Sequence, residues 1–259
     1  MKNSNKALIK KKQKEYYKKH PFADTIIIFI HGILEGSRQF RSLGNLAYKE
    51  GYSVLILLLP GHGKTGGEFA KANLREWVDY VNKHVREMER EYRHIILVGH
   101  SMGSLLAAEY VAYFPDKIEK LILLALPVGI HIKFRVIKGA IKIVRGKISK
   151  EEPYVEAEYK AIGVGNTRLL TYLRWVPRYL ELFILIIHTR KQLIKIKKPV
   201  LVIQSKKDEF IPIQMINFIK QELDEAKIMI LNESGHFCYH HTDINKIERG
   251  IKEFIQENE

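Results

Sequence analysis

A serine at the tip of a tight strand-to-helix turn is the feature that most constrains the fold of this chain. The apolar run 95–98 precedes the pentapeptide GHSMG at residues 99–103, and a helix-forming run follows it. A turn this tight leaves no room for a Cβ atom at Gly99 or Gly103, and glycine tolerates such crowding. The pattern G-x-S-x-G in this setting predicts a buried strand, a sharp turn and a helix, with the Ser101 hydroxyl clear of the backbone.

The rest of the chain repeats the alternation of strand and helix. Near-continuous runs of Val, Ile and Leu are typical of strands that are covered on both faces. Such runs predict strands at about 25–30, 53–59, 94–99, 121–126, 199–204 and 227–231. Apolar residues at three- and four-residue spacing predict helices at about 38–50, 73–91, 102–114, 213–224 and 243–256. The alternation predicts an α/β fold with a mostly parallel, doubly wound sheet.

Two further polar residues follow predicted strands in the order that serine catalysis requires. A serine needs a base to remove its proton and a carboxylate to orient that base. Asp208 follows the strand at 199–204, and His236 follows the last strand at 227–231. Parallel α/β sheets place their sites at the carboxyl ends of the strands. We therefore predict that Ser101, Asp208 and His236 form a catalytic triad, with the neighbouring Glu209 as the local rival for the acid.

An oxyanion hole is the remaining requirement, and backbone N–H groups can supply it. The strand at 25–30 is followed by the segment His31-Gly32-Ile33. The predicted donors are the backbone N–H groups of Ile33 and Met102, which flank the position of the reacting carbonyl. Two such donors can contribute roughly 3–4 kcal/mol each to lowering the barrier.

Taken together, these motifs resemble the α/β-hydrolase superfamily, and in particular small bacterial carboxylesterases and monoacylglycerol lipases. The resemblance covers residues 25–243, and one departure is Ser205, where the family commonly has glycine three residues before the acid. The matching residues are His31-Gly32, Pro60-Gly61-His62-Gly63, the elbow residues Gly99, His100, Ser101, Met102 and Gly103, Asp208 with Pro212, and Ser234-Gly235-His236. The resemblance implies an α/β-hydrolase fold with a helical cap inserted between core segments. The predicted division is a basic N-terminal arm over 1–20, a core formed by 21–126 and 193–259, and a cap over 127–192.

The formal net charge of +14 is concentrated in two of these segments. Residues 1–20 carry eight lysines and one glutamate, and we expect a mobile or loosely packed helical arm there. Residues 127–192 carry 13 basic side chains against five glutamates and interleave them with apolar residues, and Pro153 and Pro177 are expected to separate short helices. Three interpretations stay open for this charge: a solvated face, attachment to anionic lipid surfaces, or nucleic-acid binding, which no recognised module supports.

Composition also bears on disulfide bonds, cellular location and metal binding. The single cysteine, Cys238, excludes an internal disulfide, and no apolar run suits a secretory signal or a membrane span, so a cytoplasmic location is expected, with contact at the inner membrane surface as a further option. The cluster of His236, Cys238, His240, His241 and Asp243 also suggests a metal site, but Asp243 is interpreted as the N-cap of the final helix and His236 as the catalytic base. No metal and no cofactor are expected.

The sequence thus predicts a serine hydrolase that cleaves carboxylic esters through an acyl-enzyme, with activity that rises with pH as the base becomes neutral. The amphipathic cap and the resemblance favour a medium or long acyl chain, such as that of a monoacylglycerol. Alternatives are a thioesterase or C–C bond hydrolase with the same triad, and, in another class, a non-catalytic lipid-binding protein on the same fold. The expected partner is a small-molecule ester or lipid, with possible contact to anionic membrane through the arm and cap; oligomeric state is left open.

Overall fold

The structure, a computed structural model, describes residues 13–131, 162–165 and 169–257. Within them, strands of Val, Ile and Leu form one seven-stranded sheet. The strands are β1 (Tyr16–Lys18), β2 (Thr25–Ile30), β3 (Ser53–Ile56), β4 (His94–His100), β5 (Ile118–Leu124), β6 (Val200–Ser205) and β7 (Lys227–Leu231). Their order is β1-β3-β2-β4-β5-β6-β7, and every neighbouring pair is parallel except the antiparallel β1 and β3.

Helices cover both faces of this sheet. They are α1 (Arg41–Lys49), α2 (Gly66–Lys71), α3 (Leu74–Glu91), α4 (Met102–Tyr113), α5 (Leu169–Leu173), α6 (Val176–Gln192), α7 (Met215–Glu222) and α8 (His241–Gln256), with 3₁₀ turns at Ser37–Phe40 and Leu193–Lys195. Alternate residues of β2 point to opposite faces, so Ile26 and Ile28 join one apolar cluster and Ile27 and Phe29 join the other. The first cluster includes residues of α3, α4 and α6, and the second includes residues of α1 and α8. The predicted α/β-hydrolase fold is confirmed.

Two elements of the fold differ from the predictions. Residues 1–20 are predicted to be a helical arm, but Tyr16–Lys18 form the edge strand β1, whose partners are Val54 to Ile56 of β3. Residues 1–12 lie outside the described residues. The helix α2 is not predicted, because its six residues lack apolar periodicity; the side chain of Thr65 and that of Glu68 cap its first turn reciprocally. Both elements are short: pairing with β3 stabilises β1, and the capping hydrogen bonds of Thr65 and Glu68 stabilise α2.

The predicted cap is described only in part. Residues 132–161, which include Pro153, lie outside the described residues. Pro177 stands in the first turn of α6, where a missing N–H costs no hydrogen bond. Leu182, Leu185 and Ile186 of α6 belong to the same apolar cluster as α4, so this helix packs in the layer over the sheet. The boundaries of core and cap stay a prediction.

The final helix begins earlier than predicted. It starts at His241, and His240 is its N-cap, with a ring nitrogen that accepts a hydrogen bond from the Thr242 N–H. The interpretation of Asp243 as the N-cap is therefore wrong. The Asp243 carboxylate instead accepts hydrogen bonds from the backbone N–H groups of Glu233 and Ser234 and from the Ser234 hydroxyl. Because three donors hold this carboxylate, it ties α8 to the loop that precedes His236.

Candidate active site

The turn between β4 and α4 places Ser101 in a conformation that non-glycine residues rarely adopt. Its backbone angles are φ 52° and ψ −122°. A Cβ atom at Gly103 would collide with the carbonyl oxygen of Ile30, and one at Gly99 would collide with the backbone of Gly103. Helix α4 therefore approaches strands β2 and β4 so closely that only glycine fits at these two positions. Strain of this kind is common at functional sites, where surrounding structure maintains it.

Three side chains that are over a hundred residues apart at the extremes meet at the carboxyl ends of the parallel strands. The Oγ of Ser101 lies 3.1 Å from the Nε2 of His236, and the Nδ1 of His236 lies 2.8 Å from an oxygen of Asp208. All three residues are buried. In this chain of hydrogen bonds Nδ1–H donates to the carboxylate, which leaves Nε2 free to accept the serine proton.

Neighbouring groups hold the carboxylate of Asp208 and the backbone of His236 in place. The second oxygen of Asp208 accepts hydrogen bonds from the backbone N–H groups of Phe210 at 2.8 Å and Ile211 at 2.9 Å. The carboxylate of Glu209, itself buried, accepts a hydrogen bond from the backbone N–H of His236 at 2.8 Å. Asp208 therefore contacts the ring of His236 and Glu209 its backbone, so the rival acid has a separate place.

Electrostatics in this buried site favour a carboxylate and a basic imidazole. Burial opposes the ionised form of Asp208, but the adjacent His236 and the two backbone N–H groups outweigh it and lower the pKa of Asp208. Burial also opposes a charged His236, and the carboxylates of Asp208, Glu35 and Glu209 outweigh it and raise the pKa of His236 above its ordinary value. A base with a raised pKa takes a proton from serine more readily, provided that it is neutral at the working pH.

The loop after β2 holds the first predicted oxyanion donor beside the serine. A Cβ atom at Gly32 would lie 2.9 Å from the Cβ of Ser101, so this loop touches the elbow. The Gly32 N–H donates to the carboxylate of Glu35 at 2.5 Å, and the Leu34 N–H donates to His62 Nε2 at 3.2 Å. The intervening Ile33 N–H has no hydrogen-bond acceptor among the described residues.

The second predicted donor, the N–H of Met102, is the first of helix α4. The first N–H groups of a helix have no partner within the helix. The side chain of Ser101, at the N-cap position, makes no capping hydrogen bond, which leaves this end of the helix open towards the site. The positive end of the helix dipole adds to its affinity for a developing negative charge.

His62 has a structural role, as its position in a turn after a strand indicates. Its ring accepts from the Leu34 N–H, and its Nδ1–H donates to the Pro60 carbonyl at 3.1 Å. Burial lowers the pKa of His62 well below its ordinary value, so the ring is neutral. A neutral ring can donate at one nitrogen and accept at the other, and it fixes Leu34, whose φ is 62°.

Glu35 belongs to the site although the sequence predicts no role for it. Its carboxylate contacts His100 and the backbone of Gly32, and its only local signal is its place four residues after the His31 that follows a strand. The pairing with His100 spans 65 positions in the chain, so no local pattern reports it. The ligand atoms of Glu35, His100 and His236 lie within 4.8 Å of one another, a spacing that suits a metal ion. Both ring nitrogens of His236, however, already have hydrogen-bond partners.

The alternative metal cluster in the sequence is divided by the structure. The Nδ1 of His240 lies 2.8 Å from the Thr242 hydroxyl, and the Asp243 carboxylate accepts hydrogen bonds from the loop before His236.

Ser205, where the family commonly has glycine, is the last residue of β6. It is absent from the residues with positive φ in the described ranges, so a side chain is tolerated there.

This geometry is that of a serine hydrolase of the α/β-hydrolase fold, and comparisons agree. A lipolytic enzyme from a metagenome, LipS or LipT, superimposes with a TM-score of 0.75 at 18% identity, covering 95% of this chain and 99% of that one. The monoacylglycerol lipase of Paleococcus ferrophilus superimposes with a TM-score of 0.69 at 20% identity, covering 93% and 98%. These likenesses concern the fold.

The family model described as serine aminopeptidase, S33 (Hydrolase_4) matches residues 22–164. Because this match spans more than half of the sequence, the chain belongs to that family. The sequence is 22% identical to a thermostable monoacylglycerol lipase of Bacillus sp. (strain H-257), over 81% of this chain and 82% of that one. It is 34% identical to the dihydrolipoyllysine-residue acetyltransferase component of an acetoin cleaving system of Cupriavidus necator, over 44% of this chain and only 29% of that protein's length.

Proposed function

We propose that this protein hydrolyses carboxylic esters through an acyl-enzyme intermediate. The observation that carries the proposal is the chain of hydrogen bonds from Ser101 through His236 to Asp208 at 3.1 and 2.8 Å. His236 takes the proton of Ser101 as its oxygen attacks the ester carbonyl, and Asp208 stabilises the resulting imidazolium. The N–H groups of Ile33 and Met102 bind the oxyanion of the tetrahedral intermediate.

The second half of the reaction uses the same groups in reversed roles. His236 gives its proton to the leaving alcohol, and the acyl group remains on Ser101. Water then donates a proton to His236 as it attacks the acyl carbonyl, and the carboxylic acid leaves when the serine recovers its proton. The chemistry needs no group beyond these side chains and backbone donors. A thioester would react by the same steps, with a thiol as the leaving group.

Apolar side chains around the triad support an ester with a medium or long acyl chain, for example a monoacylglycerol. The rings of Phe210 and Phe237 lie 4.9 and 4.7 Å from the ring of His236. Ile33 and Leu34, in the loop that touches the elbow, are partly buried and pack on the apolar cluster that includes Met102. Pockets for apolar ligands are lined in this way, with few polar groups near the reacting atoms. Relatives named monoacylglycerol lipases add to this argument.

A series of p-nitrophenyl esters from C2 to C16 tests this substrate class. We expect kcat/KM to rise with chain length up to a medium or long acyl group, since each buried methylene contributes about 0.8 kcal/mol. The matched thioesters, measured beside the esters, separate an esterase from a thioesterase. A sharp optimum at C2 would contradict the long-chain proposal, and turnover of thioesters alone would favour the alternative.

Peripheral contact with anionic lipid is a second proposal, and it rests on helices α5 and α6. Their outward side chains include exposed apolar residues, and the basic Arg174 and Lys191 stand beside them. The exposed apolar residues of α6 recur every three or four positions, which places them on one face of the helix. They are Val176, Leu180, Ile184 and Ile187. An apolar face flanked by basic side chains suits a lipid surface. No helix among the described residues is long and apolar enough to cross a membrane.

Liposome co-sedimentation tests this surface. Because each basic side chain near an anionic membrane contributes about 1 kcal/mol, we expect binding to vesicles with anionic lipid that weakens as salt is added. The double variant Leu180→Ser, Ile187→Ser is expected to lose most of this binding. Phe22→Ser, which changes a side chain that is 93% exposed elsewhere on the molecule, serves as the control. Equal binding by both variants would exclude this helix face as the contact.

A further inference from the structure

Glu35 and His100 form a buried pair that the triad does not include. Their side chains are 1% and 0% exposed, and a carboxylate oxygen of Glu35 lies 3.0 Å from Nδ1 of His100. Burying a carboxylate is costly unless charged or donor groups surround it. Apolar residues of the same volume would fill this space without the desolvation cost. Stability alone therefore does not account for the pair, which indicates a functional role.

The contacts of Glu35 join the two loops that carry the predicted oxyanion donors. The Oε2 of Glu35, which lies 3.0 Å from Nδ1 of His100, also accepts the Gly32 N–H at 2.5 Å, and Oε1 lies 2.9 Å from the same ring nitrogen. Gly32 precedes Ile33 in the loop after β2, and His100 precedes Ser101 in the elbow. One carboxylate oxygen thus holds the backbone next to one donor and a side chain next to the nucleophile.

Both members of this pair also lie close to the ring of His236. The ring of His100 lies 4.9 Å from the ring of His236, and its Nε2 has no hydrogen-bond partner among the described residues although it is buried. Glu35 is close enough to His236 for its charge to act on that ring. The position of Glu35 thus combines a geometric contact with the oxyanion loop and an electrostatic one with the base.

We propose that Glu35, held by His100, is a positioning residue that sets the loop of Ile33 against the nucleophile elbow and stabilises the imidazolium of His236 during acyl transfer. The inference rests on the proposed function for its catalytic consequence. Glu35 itself neither contacts the reacting atoms nor transfers a proton. It acts through the Gly32 N–H, through His100 and through the field at His236.

The charge of Glu35 has a defined consequence for the pH dependence. Among the residues that the structure describes, the charged and titratable groups that face His236 are Asp208 and Glu209 from the loop after β6, Glu35 from the loop after β2, and His100 from the end of β4. Tyr239 also lies beside this group, and burial raises its pKa so far that it stays neutral. Catalysis needs a neutral His236, so kcat/KM rises as the pH passes its pKa, and that midpoint lies above the ordinary value. Loss of one negative charge lowers this pKa and moves the midpoint to lower pH.

Glu35→Gln tests the proposal, because glutamine keeps the shape and an acceptor oxygen but removes the charge. The amide NH2 group of glutamine takes the place of the second carboxylate oxygen, which lies 2.9 Å from Nδ1 of His100. Two N–H donors then face each other, which weakens the link between the elbow and the loop of Ile33. We therefore expect kcat to fall about 10- to 100-fold, while KM changes less than about twofold. We also expect the acid limb of kcat/KM to move to lower pH by roughly half a unit to one unit. Glu181→Gln is the matched control, since Glu181 likewise accepts a backbone N–H, from Leu74, and pairs with a side chain, Arg178. It should leave kcat and the limb unchanged.

A titration of the His236 ring by NMR gives a readout that does not depend on ester turnover. A lower pKa of His236 in Glu35→Gln than in wild type supports the electrostatic part even if no ester is hydrolysed, an outcome that would contradict the proposed function alone. If Glu35→Gln does not fold, as judged by circular dichroism, Glu35→Asp takes its place. Aspartate keeps the charge but is shorter, so the acid limb should stay near wild type while kcat falls. Wild-type kcat with an unshifted His236 in the folded variant would overturn the inference.

Discussion

Replacing the elbow serine should abolish covalent labelling and almost all turnover. In Ser101→Ala the oxygen that lies 3.1 Å from the Nε2 of His236 is gone, and no acyl-enzyme can form. We expect kcat to fall about 10⁵- to 10⁶-fold, with residual activity from the oxyanion donors and substrate binding. A fluorophosphonate probe, read by mass spectrometry of the intact protein, should label wild type once and leave Ser101→Ala unlabelled.

Ser104→Ala is the matched control for this experiment. Ser104 stands three residues along, in α4, is fully buried, and donates its hydroxyl hydrogen bond to the carbonyl oxygen of Leu124 at 2.8 Å. Its loss costs about 1 kcal/mol of stability. It should keep labelling and most of the wild-type kcat. If both variants lost labelling, a fault in folding would explain the result; if Ser101→Ala kept it, Ser101 would not be the nucleophile.

The second large effect is expected at the carboxylate that orients the base. In Asp208→Asn the amide no longer stabilises an imidazolium, and an N–H facing Nδ1 favours the tautomer whose Nε2 carries the proton. That tautomer cannot accept the serine proton. We expect a loss of about 10⁴-fold in kcat near neutral pH, which corresponds to about 5 kcal/mol of transition-state stabilisation. Steady-state kinetics on the preferred p-nitrophenyl ester measures it.

Glu209→Gln distinguishes the two adjacent acids. The amide oxygen of glutamine can still accept the backbone N–H of His236 that Glu209 accepts at 2.8 Å. We therefore expect a loss of at most about tenfold, mainly from the missing charge beside the imidazole. The reverse ranking, with Glu209→Gln far more damaging than Asp208→Asn, would move the role of triad acid to Glu209.

Much of the fold follows from local pattern. The six predicted strands and five predicted helices appear, because buried strands need continuous apolar runs and amphipathic helices need apolar residues at every third or fourth position. The boundaries differ by a few residues, as for α8, where His240 caps the helix that Asp243 was expected to begin. The sequence does not predict the edge strand β1, since this lysine-rich segment has no apolar run and only pairing with β3 makes it a strand.

In the candidate site, too, some residues follow from local sequence pattern and others do not. Ser101, Asp208 and His236 could be found because each follows a strand of a parallel sheet, and such strands all end at one edge. The place of Glu35 in the site could not be predicted, because its side chain contacts His100, 65 positions away in the chain. The separate places of Asp208 and Glu209 were also undecided, because both follow the same strand and only their side-chain directions differ.

The sequence by itself therefore determined the order of elements, the glycine-flanked serine and the strand ends after which His236 and Asp208 lie. These are local properties, governed by steric limits on the backbone and by the periodicity of apolar residues. Only the tertiary structure decided which acid contacts the imidazole ring, which buried carboxylate joins the loop after β2 to the elbow, and in which direction burial and charge shift the pKa of His236. Those outcomes depend on distances of about 3 Å between groups remote in the chain, where hydrogen bonding and electrostatics change steeply with position.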